Sequence, residues 1–300
     1  MLAREFDFLG LRRVFLAISV VLVLVSAGAL AVRGLTFGIE FQGGTVVNLN
    51  RTEGVEIGEV RAAFAEAGEA EVQVQTAENG GYMVRMAQDD PDVANAVFRD
   101  VAATLGISEA DGNVSTIGPG WGRNITRSAL LALIVSIAAI LLYVALRYEY
   151  KMSLTAVFTL AHDMLLVLGI YALVGREVAP STIAALLTIM GYSLYDTIVV
   201  FHRIKENAKG LTRTTFTKMA NHSLNQVFAR SVNTSVTSMM PPLMLLIFGG
   251  ETLGGFAFAL VVGVFIGAYS SIAVATPLYV LWKEHEPKFQ ALAKKYGVAA

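Results

Sequence analysis

Apolar residues fall in six long runs, at 14–32, 129–146, 154–174, 179–201, 231–248 and 255–281. A lipid core of about 30 Å takes about 20 apolar helical residues to cross, so the pattern predicts six transmembrane helices. A long polar stretch, 33–128, separates the first run from the second. Later gaps are short around Arg176 and Gly249–Glu251, and longer and basic at 202–230. Arg12-Arg13 precede the first run and Ala29-Leu30-Ala31 closes it, as in a cleavable signal. Its 19 residues exceed the roughly 7–15 of a signal-peptide apolar region, so an uncleaved anchor is expected.

Inside the polar stretch the period changes. Thr45–Leu49, Tyr82–Met86 and Val114–Ile117 read as strands, Val72 and Val74 alternate with polar residues, and Asn79-Gly80-Gly81 reads as a turn. Ile57, Val60, Phe64 and Ala67 recur at helical spacing, as do Val93, Val97, Val101 and Leu105 behind Asp89–Asp92 and Pro91. The order βαββαβ predicts an α+β domain of ferredoxin-like type. It carries no metal-ligand cluster, nucleophile triad or phosphate loop. Its glutamates read as a solvated face, and the domain as a rigid docking or clamp module.

Composition agrees with the helical pattern. Hydrophobic residues make up 55% and charged ones 16%, with mean hydropathy +0.58, against about 25% charged in soluble domains. An ordinary soluble enzyme and a disordered chain are both excluded. With no cysteine, disulfides, thiolate zinc sites and iron–sulfur clusters are excluded as well. The net charge of −1 hides a segregation: 15 Lys/Arg lie on the side of the termini and eight opposite. The positive-inside rule therefore places the tails 1–13 and 282–300 and the loop 202–230 in the cytoplasm. Residues 34–122, with 14 Asp/Glu against four Arg, suit the extracytoplasmic side.

An ionisable residue inside a membrane helix is costly and marks a functional candidate. His162, Asp163, Asp196 and Arg230 qualify. Asp196 lies seven residues before Arg203, about 10 Å inside the boundary at 1.5 Å per residue, among the polar Tyr192, Ser193, Tyr195 and Thr197. Asp196 and Arg230 are equally far from Arg213, so a symmetric hairpin brings them to similar depth. A carboxylate that takes and releases a proton beside a permanently charged guanidinium suits an ion relay; a structural pair, or an arginine reaching the headgroups, is the plainer alternative. Asp163 lies nearer the middle, and His162 titrates in a useful range or is structural. Pro241-Pro242 is expected to kink the fifth helix. Ala259, Gly263, Gly267, Ser271 and Ala275, four residues apart, point to close helix packing against the same or another chain.

The string from Gly191 to Asn207, Gly-Tyr-Ser-Leu-Tyr-Asp-Thr-Ile-Val-Val-Phe-His-Arg-Ile-Lys-Glu-Asn, resembles the signature of the SecF family of bacterial protein-export subunits. Phe37–Thr45, Leu224-Asn225-Gln226, Arg230–Ser235 and Phe248–Glu251 also match that family's pattern. The resemblance covers nearly the whole chain. It implies a polytopic α-helical half-transporter of the RND superfamily, with six transmembrane helices and one extracytoplasmic domain, in the bacterial inner membrane. The implied partners are SecD, which supplies the matching six helices, the SecYEG channel, YajC and unfolded precursor proteins. It also implies that Asp196 and Arg230 take part in proton flow. Tyr195 stands where the family commonly has a small polar residue, and His202 where it frequently has Asp. No cofactor, metal, nucleic acid or covalent chemistry is expected. The alternatives are a non-transducing scaffold subunit and half of a small-molecule RND exporter; H⁺ and Na⁺ both suit the ligand types.

Overall fold

The computed structural model describes residues 5–50, 54–77 and 80–296, so Asn79 of the expected turn lies outside the described residues. In chain order the elements are α1 (Arg12–Arg33), β1 (Thr36–Phe37), α2 (Ile39–Gln42), β2 (Gly44–Leu49), α3 (Ile57–Glu66), β3 (Gln73–Thr76), β4 (Tyr82–Met86) and α4 (Pro91–Leu105). A 3₁₀ turn, Glu109–Asp111, leads to β5 (Gly112–Ile117), α5 (Pro119–Arg147), α6 (Tyr150–Val174), β6 (Glu177–Val178), α7 (Pro180–Ala208) and α8 (Phe216–Phe248). Then come α9 (Gly250–Ser270), a π turn (Ser271–Ala275), α10 (Thr276–Glu284) and α11 (Pro287–Tyr296). The chain forms two compact units, Met1–Thr36 with Leu133–Ala300, and Phe37–Ala132.

The first unit is a helical bundle. Six helical segments among the described residues are long and apolar enough to cross a membrane, the last running Leu253–Glu284 through the π turn. The chain is a multi-pass membrane protein. On α1 only Ser19, Ser26 and Ala29 are buried, while Val14, Ile18, Val21, Leu24 and Val25 face outward. In lipid such exposure has no hydrophobic cost, and small residues mark the contact seams instead.

The bundle's buried cluster sits around the C-terminal end of α7 and the N-terminal end of α8, with Phe201, Ile204, Leu211, Phe216, Leu224, Tyr279 and Phe289. Here the helices outrun the apolar runs: α7 continues to Ala208 and α8 begins at Phe216, inside the stretch 202–230 that the pattern gave as a loop. One buried face holds this hairpin while the other is polar, so its average hydropathy hides the helix. The tail beyond 281 is likewise helical in α10 and α11. α8 passes through Pro241 and Pro242 as one helix. Residues 6–9 lie along α8: Asn225 Oδ1 accepts from Phe6 N at 2.9 Å, Asn221 Oδ1 from Leu9 N at 3.2 Å, and Phe8 stacks on Phe228 at 5.0 Å.

The second unit is a four-stranded antiparallel sheet, order β3-β4-β2-β5, with α3 and α4 supplying its core. Val74, Val84, Val47 and Val114 align across all four strands, one row of β-branched side chains on the helix side. α4 starts where Asp90 accepts from Asp92 N and Val93 N, with Pro91 in the first turn, and stops at Gly106 in the left-handed region. Gly43 and Gly44 have φ of 79° and 111°, and a Cβ on Gly44 would lie 2.7 Å from the Met86 carbonyl oxygen. Only glycine fits this entry to β2.

Candidate ion-relay site

Among the described residues two carboxylates are buried in the bundle, and their surroundings differ. Asp163 on α6 is 0% exposed. Its Oδ2 accepts from Ser193 Oγ on α7 at 2.5 Å and from Ser270 Oγ on α9 at 2.8 Å. Its Oδ1 lies 2.9 Å from His162 Nδ1, and His162 Nε2 lies 2.6 Å from Ser19 Oγ on α1. One network thus joins four helices, and every member is buried. A charge in this setting is tolerated only when each lone pair has a donor, which is what the serines provide.

Asp196 on α7 is 2% exposed, yet its Oδ2 has no hydrogen-bond partner, and neither has Ser231 Oγ on α8 or the buried Tyr192 hydroxyl, among the described residues. Ser231 and Ser235 on α8 face it. Arg230 turns elsewhere: its Nη2 donates to the Tyr195 hydroxyl at 2.9 Å, and among the described residues it forms no ion pair with Asp196 within 4 Å. Its charge still acts on Asp196 at longer range. The similar depth expected from the hairpin count therefore comes without a direct contact. Depth follows the residue count, but facing follows the turn of about 100° per residue, which puts Ser231 rather than Arg230 beside the carboxylate.

The small residues of α9 lock this arrangement. A Cβ on Gly263 would lie 2.3 Å from Ile189 Cδ1, and one on Gly267 3.0 Å from Ser193 Cβ, so α9 packs on α7 of the same chain. Ala259 and Ser271 are buried on the same helix line. The π turn follows at once. It lets Ser270 reach Asp163 while Ser271 Oγ meets Thr197 Oγ1 at 2.9 Å and Gly267 O at 2.9 Å, a π bulge of the kind found at functional sites. Ser19 and Ser270 escaped the sequence reading. Ser270 sits beside Ser271 at the end of the four-residue small stripe, and that adjacency was the available signal.

Comparison with known proteins gives a consistent set. The model "Protein export membrane protein SecD/SecF, C-terminal" matches residues 97–285, and "SecD/SecF GG Motif" matches residues 28–50, the stretch that holds Gly43-Gly44. The protein translocase subunit SecF of Streptomyces coelicolor is 38% identical over 298 residues, covering 97% of this chain and 80% of its own length. SecF of Pseudomonas aeruginosa is 34% identical over 283 residues, covering 92% and 90%. Protein translocase subunit SecDF of Thermus thermophilus is 37% identical over 298 residues, but this chain spans 40% of its length. The crystal structure of Thermus SecDF matches with TM-score 0.86 at 36% identity, over 94% of this chain and 39% of that one.

Proposed function

Because the chain belongs to the SecD/SecF family of protein-export membrane proteins, we propose that it works with SecD to use an ion gradient, protons or sodium, to promote export of unfolded precursors through SecYEG, with YajC as an accessory partner. In this reading the termini are cytoplasmic, and the 37–132 unit is a ferredoxin-like domain outside the inner membrane. The relatives with a fused SecDF chain support SecD as the partner. So does the outer face of α7 and α8, where Tyr195, Arg230, Asn233 and Thr237 point away from the bundle. Tyr195 bonds Arg230 and Thr237 bonds back to its own helix, so it is the further donors of Arg230 and the Asn233 amide that a protein partner would satisfy, since lipid gives them no acceptor.

The observation that carries the proposal is the buried Asp196, whose Oδ2 and neighbours Ser231 Oγ and Tyr192 hydroxyl are left without partners. Such a carboxylate has oxygen capacity to spare for a proton or small cation. Taking up the ion cancels its charge while Arg230 keeps its own, and the α7–α8 contact is restabilised in a second arrangement. Asp163 and His162 form the inner, fully bonded stage of the relay.

The test is Asp196→Asn, co-expressed with SecD, with complex formation confirmed first. Gradient-dependent completion of precursor export in membrane vesicles should disappear. If gradient dependence is retained in full, Asp196 is structural and the subunit is a scaffold.

A further inference from the structure

We infer that the Ser19–His162 hydrogen bond is the contact through which the buried Asp163 acts on α1, the helix whose chain continues into the 37–132 unit. The inference rests on the ion-coupled reading above and assigns to His162 the role of a positioning residue.

Helix α1 packs along α6 and on the π turn, and few of the contacts in that seam are polar. Ser19 meets His162, Ser26 packs against Gly169, and both pairs are 143 residues apart, so α1 and α6 run parallel in fixed register. A Cβ on Gly169 would lie 2.2 Å from Ser26 Cβ. Arg33 Nη1 donates to Leu173 O at 2.6 Å, and the Tyr269 hydroxyl donates to Phe15 O at 3.2 Å. In a surface otherwise apolar, each of these polar bonds weighs on where α1 sits.

The direction of the Ser19 bond depends on the proton count of the His162–Asp163 pair. An ionised Asp163 only accepts, so the neutral imidazole carries its proton on Nδ1, and Nε2 accepts from Ser19. A proton added to the ring turns Nε2 into a donor. A proton added to Asp163 goes to Oδ1, because Oδ2 already accepts from Ser193 and Ser270. Oδ1 then donates to Nδ1, the ring shifts to its other tautomer, and Nε2 again becomes a donor. Both routes reverse the Ser19 bond. The displaced Ser19 proton turns toward the carbonyl four residues back, Phe15 O, in the manner of helical serines. That carbonyl already accepts from Tyr269, so one proton on α6 disturbs two of the contacts that fix α1.

Beside the pair itself, the titratable groups on the elements packed against it are Tyr269 on α9, next to Ser270, and Asp196 on α7, three residues beyond Ser193; α1 offers the Ser19 hydroxyl. The chain has no cysteine, so spin labels can be placed uniquely at Val32→Cys and Val174→Cys, both outward-facing. The distance distribution is read in the SecD-containing complex in vesicles, at alkaline and acidic pH. The parent and Ser19→Thr, which keeps the hydroxyl, should change their population ratio by at least about fivefold, the lower range of allosteric coupling. Ser19→Ala should not change it while ion flow through the complex persists, and His162→Gln should not change it either. An equal change in Ser19→Ala, or none in the parent, overturns the inference. The relay reading is tested apart from it by Asp196→Asn, which abolishes ion flow if that reading holds and leaves it intact if it does not.

Discussion

Ser193 on α7 and Asp163 on α6 meet at 2.5 Å in the buried interior of the bundle. Ser270 on α9 bonds the same carboxylate oxygen, so three helices are tied at one atom. The bond geometry makes this carboxylate a structural organiser as well as a candidate ion carrier, and substitutions separate the two roles.

Asp163→Asn keeps the shape and an acceptor oxygen for the serines, so the bundle should fold. Asp163→Ala leaves Ser193, Ser270 and His162 without their acceptor, a loss of about 2–5 kcal/mol for stranded buried donors. Thermal melting of the two purified variants with SecD should rank Ala well below Asn. Equal melting would show that the serines find other partners.

Gly169→Ala brings a methyl group 2.2 Å from Ser26 Cβ. Forcing α1 off α6 should cost about 1–3 kcal/mol as overpacking does. Ser26→Gly in the same chain removes the opposing atom and should restore most of the loss, because contacting sites are not additive. Melting of the single and double variants gives the coupling directly.

These two positions also show what a linear reading reaches. Helix count and strand order follow from local periodicity, since lipid thickness fixes a run length and a pleat fixes an alternation. The network around Asp163 draws on residues 19, 162, 193 and 270, and no local pattern joins them. Asp196 stood out because polar neighbours share its own helix. The partner assigned to it by hairpin symmetry, Arg230, lies on another face and bonds Tyr195. The facing ends of α7 and α8 escaped because Phe216, Ala220 and Leu224 are buried one turn apart among mostly polar residues, which lowers any averaged hydropathy.

Tyr195→Phe removes one hydrogen bond from Arg230 and nothing from Asp196. A bond of about 0.5–1.5 kcal/mol corresponds to a two- to tenfold slower gradient-driven export, against complete loss for Asp196→Asn. Rates from the same vesicle assay decide this; equal loss in both would place Tyr195 on the ion path itself.

Between α10 and α11, Glu286 accepts from Lys151 at 2.8 Å and from Lys283 at 2.9 Å. Partial burial pushes its carboxyl up, but the two ammonium groups outweigh it and hold the carboxyl below the usual range. The folded value lies under the unfolded one, so its stabilisation is complete above the ordinary glutamate value of about 4.3 and is lost as pH falls through the lowered one. Acid should release α11 first, seen as exposure of Phe289, which is buried in the fold. Glu286→Gln should flatten that acid limb without altering stability differences among variants at neutral pH.

The network at Asp163 also sets a timetable for biosynthesis. Ser19 enters the membrane 143 residues before its histidine, and Asp163 precedes Ser270 by 107. At about 5–20 residues per second, α1 spends roughly 7–30 s in lipid before its serine has an imidazole to bond. The carboxylate waits nearly as long for its last donor. The hydrogen-bond set of Asp163 is completed only when α9 arrives, so a nascent chain stalled before α9 carries an under-ligated carboxylate and differs chemically from the folded bundle.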